Sequence, residues 1–439
     1  MLEISSGAKK ALELLTASGH EAYLVGGSVR DILMGMKAHD YDITTSATPE
    51  EMKVAFDGYR TIETGIKHGT ITFLYEGEPI EVTTYRIEGE YKDNRHPENV
   101  EFTKKLDHDL SRRDFTINAL VYNEKDGIKD LFNGQEDIKN KTIRAIGDPR
   151  KRFEEDALRI LRAVRFASQL GFDIEEKTKA AMVKCAHLLH NISAERINQE
   201  LTKFLLGKNV KKALLDNYLV IGEIIPEIKK MYGFLQHNKY HIYSVLEHTA
   251  VAVERIEPVS HLRLAMLLHD VGKINTFTMD ENGVGHFYGH NSVSTKIAKD
   301  FLDKYKYDNF TKERVIELVK LHDTPIEMDR VFIKKRMNRI GAELFFDLLK
   351  VKRADNLAQN PEYFWLEKLA KMENIAKEIM ESDCFTLSSL DITGNDLISL
   401  GYKGKEIGEM LNLLLKEVIE EKIPNKKDAL ITRASQNLK

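Results

Sequence analysis

Two carboxylates stand two residues apart in His39-Asp40-Tyr41-Asp42-Ile43, and Asp40 lies thirteen positions past Gly27. On a β-strand, residues i and i+2 share a face, so the spacing predicts that Asp40 and Asp42 point the same way. Neighbouring carboxylates repel unless a cation joins them. Magnesium takes oxygen ligands and is commonly held by one or two carboxylates together with substrate phosphates, so the pair is a candidate phosphoryl-transfer metal site. Glu81, between apolar Ile80 and Val82, is a candidate third carboxylate. Upstream, LVGGSVRDIL predicts a strand running into Gly26-Gly27 and then a helix carrying Arg30, a layout that lets backbone N–H groups and a guanidinium approach a phosphate. An isolated Asp-x-Asp is most often a solvated strand end. The Gly-Gly turn moves the balance towards chemistry.

Two further blocks carry charge in pattern: Ser111-Arg112-Arg113-Asp114-Phe115-Thr116-Ile117-Asn118-Ala119, and the run from Glu155 to Arg165. In the second, Asp156 and Arg159 are expected to share a helix face with Glu155 beside them, while Arg159, Arg162 and Arg165 form a slowly rotating cationic stripe. Residues 143–166 hold seven cations against four anions. The bland alternative is a set of salt bridges on a wet surface. Farther on, eight of the 15 histidines fall within residues 237–323, about a fifth of the chain. Among them stand Glu247-His248-Thr249, His269-Asp270-Val271-Gly272-Lys273, Gly289-His290-Asn291 and Leu321-His322-Asp323, followed by Arg353-Ala354-Asp355-Asn356. Histidines and aspartates on separate helices can converge on a divalent metal and activate water for phosphate-ester hydrolysis. A lone histidine on an apolar helix is usually a satisfied core residue; an adjacent His-Asp pair flanked by others is harder to read that way.

Taken in order, GGSVRD, DYD, TYRIEGEYKDNRHPENVEF, RRDFTINAL, EDALRILRAVRFA and the ERINQEL segment around Glu195 and Arg196 resemble the bacterial and eukaryotic tRNA nucleotidyltransferases, or CCA-adding enzymes, of the polymerase-beta-like superfamily. The likeness covers roughly the first 200 residues. It implies that Asp40 and Asp42 bind magnesium, that Gly27, Arg30 and Arg113 hold triphosphate or ribose, that Asp156 and Arg159 face the incoming base, and that Arg162 and Arg165 take phosphates. Base reading by an Asp/Arg pair is chemically sound, because cytosine and adenine both present an amine donor beside a ring-nitrogen acceptor. Uracil and guanine set a carbonyl against the carboxylate, a mismatch of about 1–3 kcal/mol per bidentate contact. Changing from C to A requires the pocket to move, and the polar 85–101 loop is the expected lever; in this family that loop accompanies full CCA addition. The histidine-rich segment resembles the HD phosphohydrolase superfamily, with His248, His269, Asp270 and Asp355 matching its metal ligands and His290 and His322 as further candidates. Lys273 also fits its pattern.

These residues must be positioned by two kinds of scaffold. Gly-punctuated β-branched runs dominate residues 20–130, whereas from about 150 onward the period is 3.6 residues, as in Ile407, Met410, Leu411, Leu414, Leu415 and Val418. Breaks are expected near Gly147-Asp148-Pro149, Gly207, Pro226, the glycine-rich 281–290 segment and Pro361. The expectation is an α+β chain. A nucleotidyltransferase head with a mixed sheet spans 1–148, an all-helical neck with the base-reading motif 149–225, an HD domain 226–360 and a helical tail 361–439. In the tail, the amides around Gly401–Gly404, with Lys403 and Lys405, are candidates to meet RNA phosphates.

Length and composition agree with several domains. The 439 residues are 42% hydrophobic and 31% charged, and 65 Lys plus Arg against 69 Asp plus Glu leave a formal charge of −4. Disordered, collagen-like and membrane classes are disfavoured, and any nucleic-acid contact must come from a local basic surface. Two cysteines 199 positions apart, with no signal-peptide pattern, fit a reducing cytoplasm. The leading expectation is template-independent addition of CCA to tRNA from CTP and ATP, with magnesium in the head and a divalent transition metal in the HD domain. Alternatives are a poly(A) polymerase, an A-adding tRNA nucleotidyltransferase, and an HD phosphohydrolase with a regulatory nucleotide-binding head.

Overall fold

Ser5 accepts a hydrogen bond from the Ala8 N–H and so starts α1 (Ser6–Ala17), whose Ala8, Ala11, Leu12 and Leu15 recur at three- and four-residue spacing and are buried. A computed structural model of the chain describes residues 2–38, 40–88 and 100–437. It divides into two units, Met1–Pro226 and Glu227–Lys439.

In the first unit, the elements after α1 are β1 (Ala22–Val25), α2 (Gly27–Leu33), β2 (Asp42–Thr45), α3 (Pro49–Ala55), β3 (Arg60–Ile62), β4 (Thr70–Tyr75), β5 (Glu78–Thr84), β6 (Arg86–Glu88), β7 (Val100–Phe102), α4 (Leu106–Ser111), β8 (Leu120–Asn123), β9 (Gly127–Asp130), α5 (Gly134–Lys139), α6 (Pro149–Glu155), α7 (Leu158–Leu170), α8 (Glu176–Cys185) and α9 (Ala194–Leu205). A seven-stranded sheet runs β3-β4-β5-β2-β1-β8-β9. It is mixed, as expected, because β2 and β5 pair in parallel while the other neighbours are antiparallel.

Strand alternation then sorts the two faces. Leu24, Ile43, Ile71, Phe73 and Val82 join α1 and α3 in one core, while Tyr23 and Val25 join Tyr85, Leu110 and Val121 in another. Asp42 and Thr44, which flank Ile43 in β2, therefore share the second face, towards α4.

Three expectations need correction. β2 begins at Asp42, so Asp40 lies just before the strand rather than on it. Asp156 is not inside a helix: its extended backbone, φ −135° and ψ 101°, separates α6 from α7. The segment given as an all-helical neck also contains Asp173–Ile174, which pairs in parallel with Thr142–Ile143. The expected 85–101 lever lies largely outside the described residues, which omit 89–99. Its stems, β6 and β7, pair antiparallel.

Among its described residues, the second unit is helical apart from a short hairpin, Thr278–Met279 with Gly285–His286, in the glycine-rich segment. Among the described residues, no helix is long and apolar enough to cross a membrane.

Candidate active sites in the two units

In the first unit, parallel pairing of β2 with β5 sets Asp42 directly beside Glu81, and antiparallel pairing with β1 sets it beside Val25, at the entrance to the Gly26-Gly27 turn. Asp40, Asp42 and Glu81 are all exposed. The Asp42 carboxyl is pushed up to about 6 by the protein crowded around it, then by Glu81 and Asp40, with Arg113 opposing. Because solvent reaches that carboxyl, water screens part of the effect. A divalent cation would relieve the crowding of the Asp42 carboxylate by its acidic neighbours.

The cationic side is built across the turn. Gly26 adopts φ +79°, a region that only glycine enters readily, and a Cβ there would meet an Arg113 guanidinium nitrogen at 3.5 Å. Arg30 is buried, donates to Asn118 Oδ1 at 2.7 Å and to Asp31, and lies over the Phe166 ring. Arg113 is anchored by Asp109 at 3.4 Å. Asp109, fully buried, also accepts from Arg112 at 2.7 Å and Thr44 Oγ1 at 2.9 Å, tying α4 to β2 two residues past Asp42. Burial opposes its charge, but Arg113 and Arg112 outweigh burial and hold its carboxyl below the usual range. Sequence reasoning missed Asp109, although an i, i+4 pairing with Arg113 was its available signal.

The arginines of α7 are paired rather than wet. Arg159 donates to the Arg112 carbonyl at 2.8 Å, the Arg152 carbonyl at 3.0 Å and Glu155 at 2.8 Å. Arg162 binds Asp114 at 2.7 Å; burial works against that carboxylate's charge, yet Arg162 and Asn118 bring it down to about 2. Arg165 meets Glu200 at 3.1 Å and lies over Phe166. Asp156 accepts the Leu158 N–H at 3.0 Å and Arg196 at 2.9 Å. So Asp156 and Arg159 flank the same helix start, but Asp156 takes its guanidinium partner from α9. Arg30 and Arg113 both border the Gly26-Gly27 turn, whereas Asp156 meets Arg196 and Arg159 meets Glu155.

In the second unit, helix ends converge. Ser244 and Glu247 form a capping box that starts the helix Val245–Arg255 and sets His248 in its first turn. His269 and His322 follow the helices Ser260–Leu268 and Asn309–Leu321, and His290 opens the helix His290–Lys304 behind Gly289. His248, His269, Asp270, His290 and His322 are buried. His248 Nε2 lies 3.4 Å and His269 Nε2 3.1 Å from one Asp270 oxygen, Oδ2. Asp355 Oδ1 lies 2.9 Å from His248 Nε2. His290 Nε2 and His322 Nε2 lie 3.4 and 3.6 Å from the other Asp270 oxygen, Oδ1.

The backbone approach that allows this depends on Gly272, where a Cβ would sit 2.5 Å from the His290 carbonyl oxygen. Burial opposes charging His269, but Asp270 and Asp355 outweigh it and raise its pKa to about 10. Burial likewise opposes charge on Asp270, yet His269 and Lys273 hold it well below the usual carboxylate range; His248 and His269 do the same for Asp355. A proton on His269 offsets the charge of these two carboxylates. Lys273 Nζ sits 2.7 Å from Asp270 Oδ2 and donates to Gln236 at 2.9 Å. A cleft of about 370 Å³ opens over Asp270, Lys273, His290, His322 and Asp355. It is also lined by His241, whose pKa burial and then Lys273 lower to about 3; sequence reasoning passed over it because it lies in an irregular segment.

Comparison with known proteins bears on both units. The family model "Poly A polymerase head domain" matches residues 22–144, "Probable RNA and SrmB- binding site of polymerase A" matches 171–232, and tRNA nucleotidyltransferase domain 2 matches 276–434. The chain is 36% identical over 427 residues to a CCA-adding enzyme of Lactobacillus helveticus, covering 96% of this chain and 95% of that one. It is 37% identical over 440 residues to a CCA-adding enzyme of Ligilactobacillus salivarius, covering 98% and 96%. Among solved structures it is similar to the Bacillus stearothermophilus CCA-adding enzyme in complex with CTP, with a TM-score of 0.74 and 27% identity over 98% of this chain and 97% of that one.

Proposed function

The chain belongs to the CCA-adding enzymes, the tRNA nucleotidyltransferases, and from that premise we propose that its first unit builds or repairs the 3′ CCA end of tRNA from CTP and ATP in the cytoplasm, without a nucleic-acid template. The observation that carries the residue assignment is the β2–β5 register, which sets Asp42 beside Glu81 within the field of Arg113.

Asp40 and Asp42, with Glu81, would hold magnesium, which supplies charge stabilisation at the reacting phosphate. The tRNA 3′-oxygen bonds to the α-phosphorus as the bond to the β-phosphate bridge breaks, and pyrophosphate leaves. Arg113 and Arg30, with the Gly26-Gly27 amides, offset charge on the triphosphate. Asp156, oriented by Arg196, accepts the amine of C or A. Arg159, which spends three of its five N–H groups on protein acceptors, donates to the ring nitrogen. Arg162 contributes to the phosphate field from its pair with Asp114, and Arg165 from its pair with Glu200.

Incubating the protein with tRNA lacking its last three nucleotides, then sequencing the 3′ end, tests this. CTP alone should yield CC and both nucleotides CCA. Extension only of tRNA ending in CC would favour the A-adding alternative, and long A tracts the poly(A) polymerase.

We also infer that the second unit is an HD-type phosphohydrolase. Its support is the convergence of His248, His269, Asp270 and Asp355 within hydrogen-bonding range. This donor set of imidazole nitrogens and carboxylate oxygens fits a divalent transition metal. Such a metal would polarise a phosphate ester and acidify water. Lys273 offsets charge on Asp270, and the cleft limits access of bulk water. Loss of both metal binding and ester hydrolysis in Asp270→Ala, with CCA addition retained, is the expected result. A wild-type chain that binds no metal and hydrolyses no ester would overturn the reading.

A further inference from the structure

One face of the seven-stranded sheet stays open beside the carboxylates. Along β4 and β5, Ile71, Phe73, Ile80 and Val82 point into the core with α1 and α3 and are fully buried. Alternation therefore turns Thr70, Thr72, Glu81 and Thr83 to the other face. Over β2 that face is closed by α4, since Thr44 is fully buried and donates to Asp109. Over β5, β4 and β3 it is not: Glu81 is exposed, and Thr70, Thr72 and Thr83 are only half-buried. The strand registers place Asp42, Glu81, Thr72 and Ile62 in one row across β2, β5, β4 and β3. Thr61 pairs with the buried Phe73, so Arg60 and Ile62, on either side of it, turn to the open face, and both are exposed.

Polar groups on this face are left without protein partners. Thr70 and Thr83 spend their hydroxyls on each other at 2.9 Å, whereas among the described residues the Thr72 hydroxyl, beside Glu81, makes no hydrogen bond. At the sheet edge, Glu63 is neutralised by Lys53 at 2.7 Å. Arg60 and Lys67, both exposed, have no ion pair among the described residues, so they flank the open face as cations on a chain whose formal charge is −4.

The chemistry supplies a direction. In the proposed reaction Gly26-Gly27, Arg30 and Arg113 hold the triphosphate, and their turn follows Val25, the β1 neighbour of Asp42. Glu81 is the neighbour of Asp42 on the opposite, β5, side. Phosphoryl transfer sets the attacking and leaving oxygens roughly in line. With pyrophosphate leaving towards β1, the 3′-oxygen enters from β5, and the strand behind it extends over β4 and β3.

Resting on that reading of the first unit, we propose that the open face of β5, β4 and β3 carries the acceptor strand of tRNA, with Thr72 against the terminal ribose, Ile62 against a base and Arg60 on a backbone phosphate. A hydroxyl both donates and accepts, which matches a ribose 2′-hydroxyl. Ile62, 39% exposed, offers apolar surface for a base to cover. Arg60 stands three strand spacings from β2, about 14 Å, so its charge acts upstream of the reacting 3′ end and not on the triphosphate. It sets affinity for RNA and leaves affinity for CTP alone.

The test uses the full chain with tRNA lacking CCA, CTP and magnesium, and circular dichroism to confirm folding. Arg60→Glu should raise KM for tRNA by about tenfold and leave KM for CTP unchanged. Arg60→Ala should reduce the slope of log tRNA affinity against log salt by about 1. Thr72→Val should reduce preference for an acceptor ending in a ribonucleotide over one ending in a 2′-deoxynucleotide by about threefold. Lys125→Glu, an exposed cation in the β8–β9 turn at the far edge of the sheet, should change neither KM. A photoreactive p-benzoylphenylalanine in place of Ile62 should cross-link to tRNA within its 3′-terminal strand, as mapped by sequencing. An unchanged KM for tRNA in Arg60→Glu, with no such cross-link, would overturn the path while CCA addition by the wild type leaves the reading of the first unit intact. Equal rises in KM for CTP and tRNA would put Arg60 at the nucleotide and also overturn the path. A wild type that adds no nucleotide to tRNA would overturn the reading itself.

Discussion

In the first unit Asp40, Asp42 and Glu81 are open to solvent beside a glycine turn, whereas in the second His248, His269 and Asp270 are at most 1% exposed. Exposed carboxylates are readily hydrated and bind an ion weakly until a nucleotide triphosphate adds its own oxygens. Buried imidazoles and carboxylates have already lost water, so an ion that satisfies them gains full strength from a low-dielectric setting and becomes part of the fold. On the proposed reading the two units would thus use metals in different ways, one arriving with substrate and the other resident.

The largest expected effect isolates the open site. Asp42→Ala should lower nucleotide addition by about three orders of magnitude or more, the equivalent of about 4 kcal/mol. Its melting temperature without metal should not fall, since the substitution relieves a crowded carboxylate. Single-turnover incorporation and calorimetry read the two quantities; a large loss of stability would erase the contrast between the units.

The closed site should behave in the opposite way. Asp270→Ala strands the buried Lys273 ammonium and should cost about 3–5 kcal/mol in chemical unfolding of the metal-free chain. A loss below about 1 kcal/mol would mean that this carboxylate is not the keystone of the cluster.

A finer effect concerns selection. Asp156→Ala with Arg159→Ala should reduce discrimination of C and A against U and G by about 1–3 kcal/mol, read from relative kcat/KM for the four nucleotides. Asp156→Ala should also cost about 1 kcal/mol of stability through its bond to the Leu158 N–H. If stability falls while selectivity holds, the pair is structural only.

The smallest effect is on pH. Asp42 is pushed up to about 6, above its unfolded value, so between the two the folded chain binds more protons and metal-free stability falls as pH rises through that window. Magnesium should therefore raise the melting temperature at pH 7.5 and have little effect at pH 5. Equal stabilisation at both would place the ion elsewhere.

Much of this was legible in residue order. The strand runs, the breaks at Asp148-Pro149 and Pro226, and the carboxylate and histidine motifs all depend on local spacing, which a chain displays directly. What was hidden came from geometry that spacing does not encode. The i, i+3 rule for Asp156 and Arg159 presumes a continuous helix, and no glycine or proline marks the break at Asp156. The α7 arginines read equally well as a wet stripe, because their partners Asp114, Arg112 and Glu200 are 35–48 residues away. Likewise, the histidines suggested a metal site by their spacing, but the division of the two Asp270 oxygens between His248 with His269 and His290 with His322 exists only once helix ends have met.

The most direct measurement asks whether the two sites act separately on one chain. Wild type, Asp42→Ala and Asp270→Ala are each given tRNA lacking CCA with CTP and ATP, and in parallel bis(p-nitrophenyl) phosphate with Mn2+; 3′-end sequencing and nitrophenol release are then scored. The account predicts that Asp42→Ala adds nothing yet hydrolyses normally, and that Asp270→Ala adds CCA yet hydrolyses nothing. CCA addition by Asp42→Ala at the wild-type rate would contradict it.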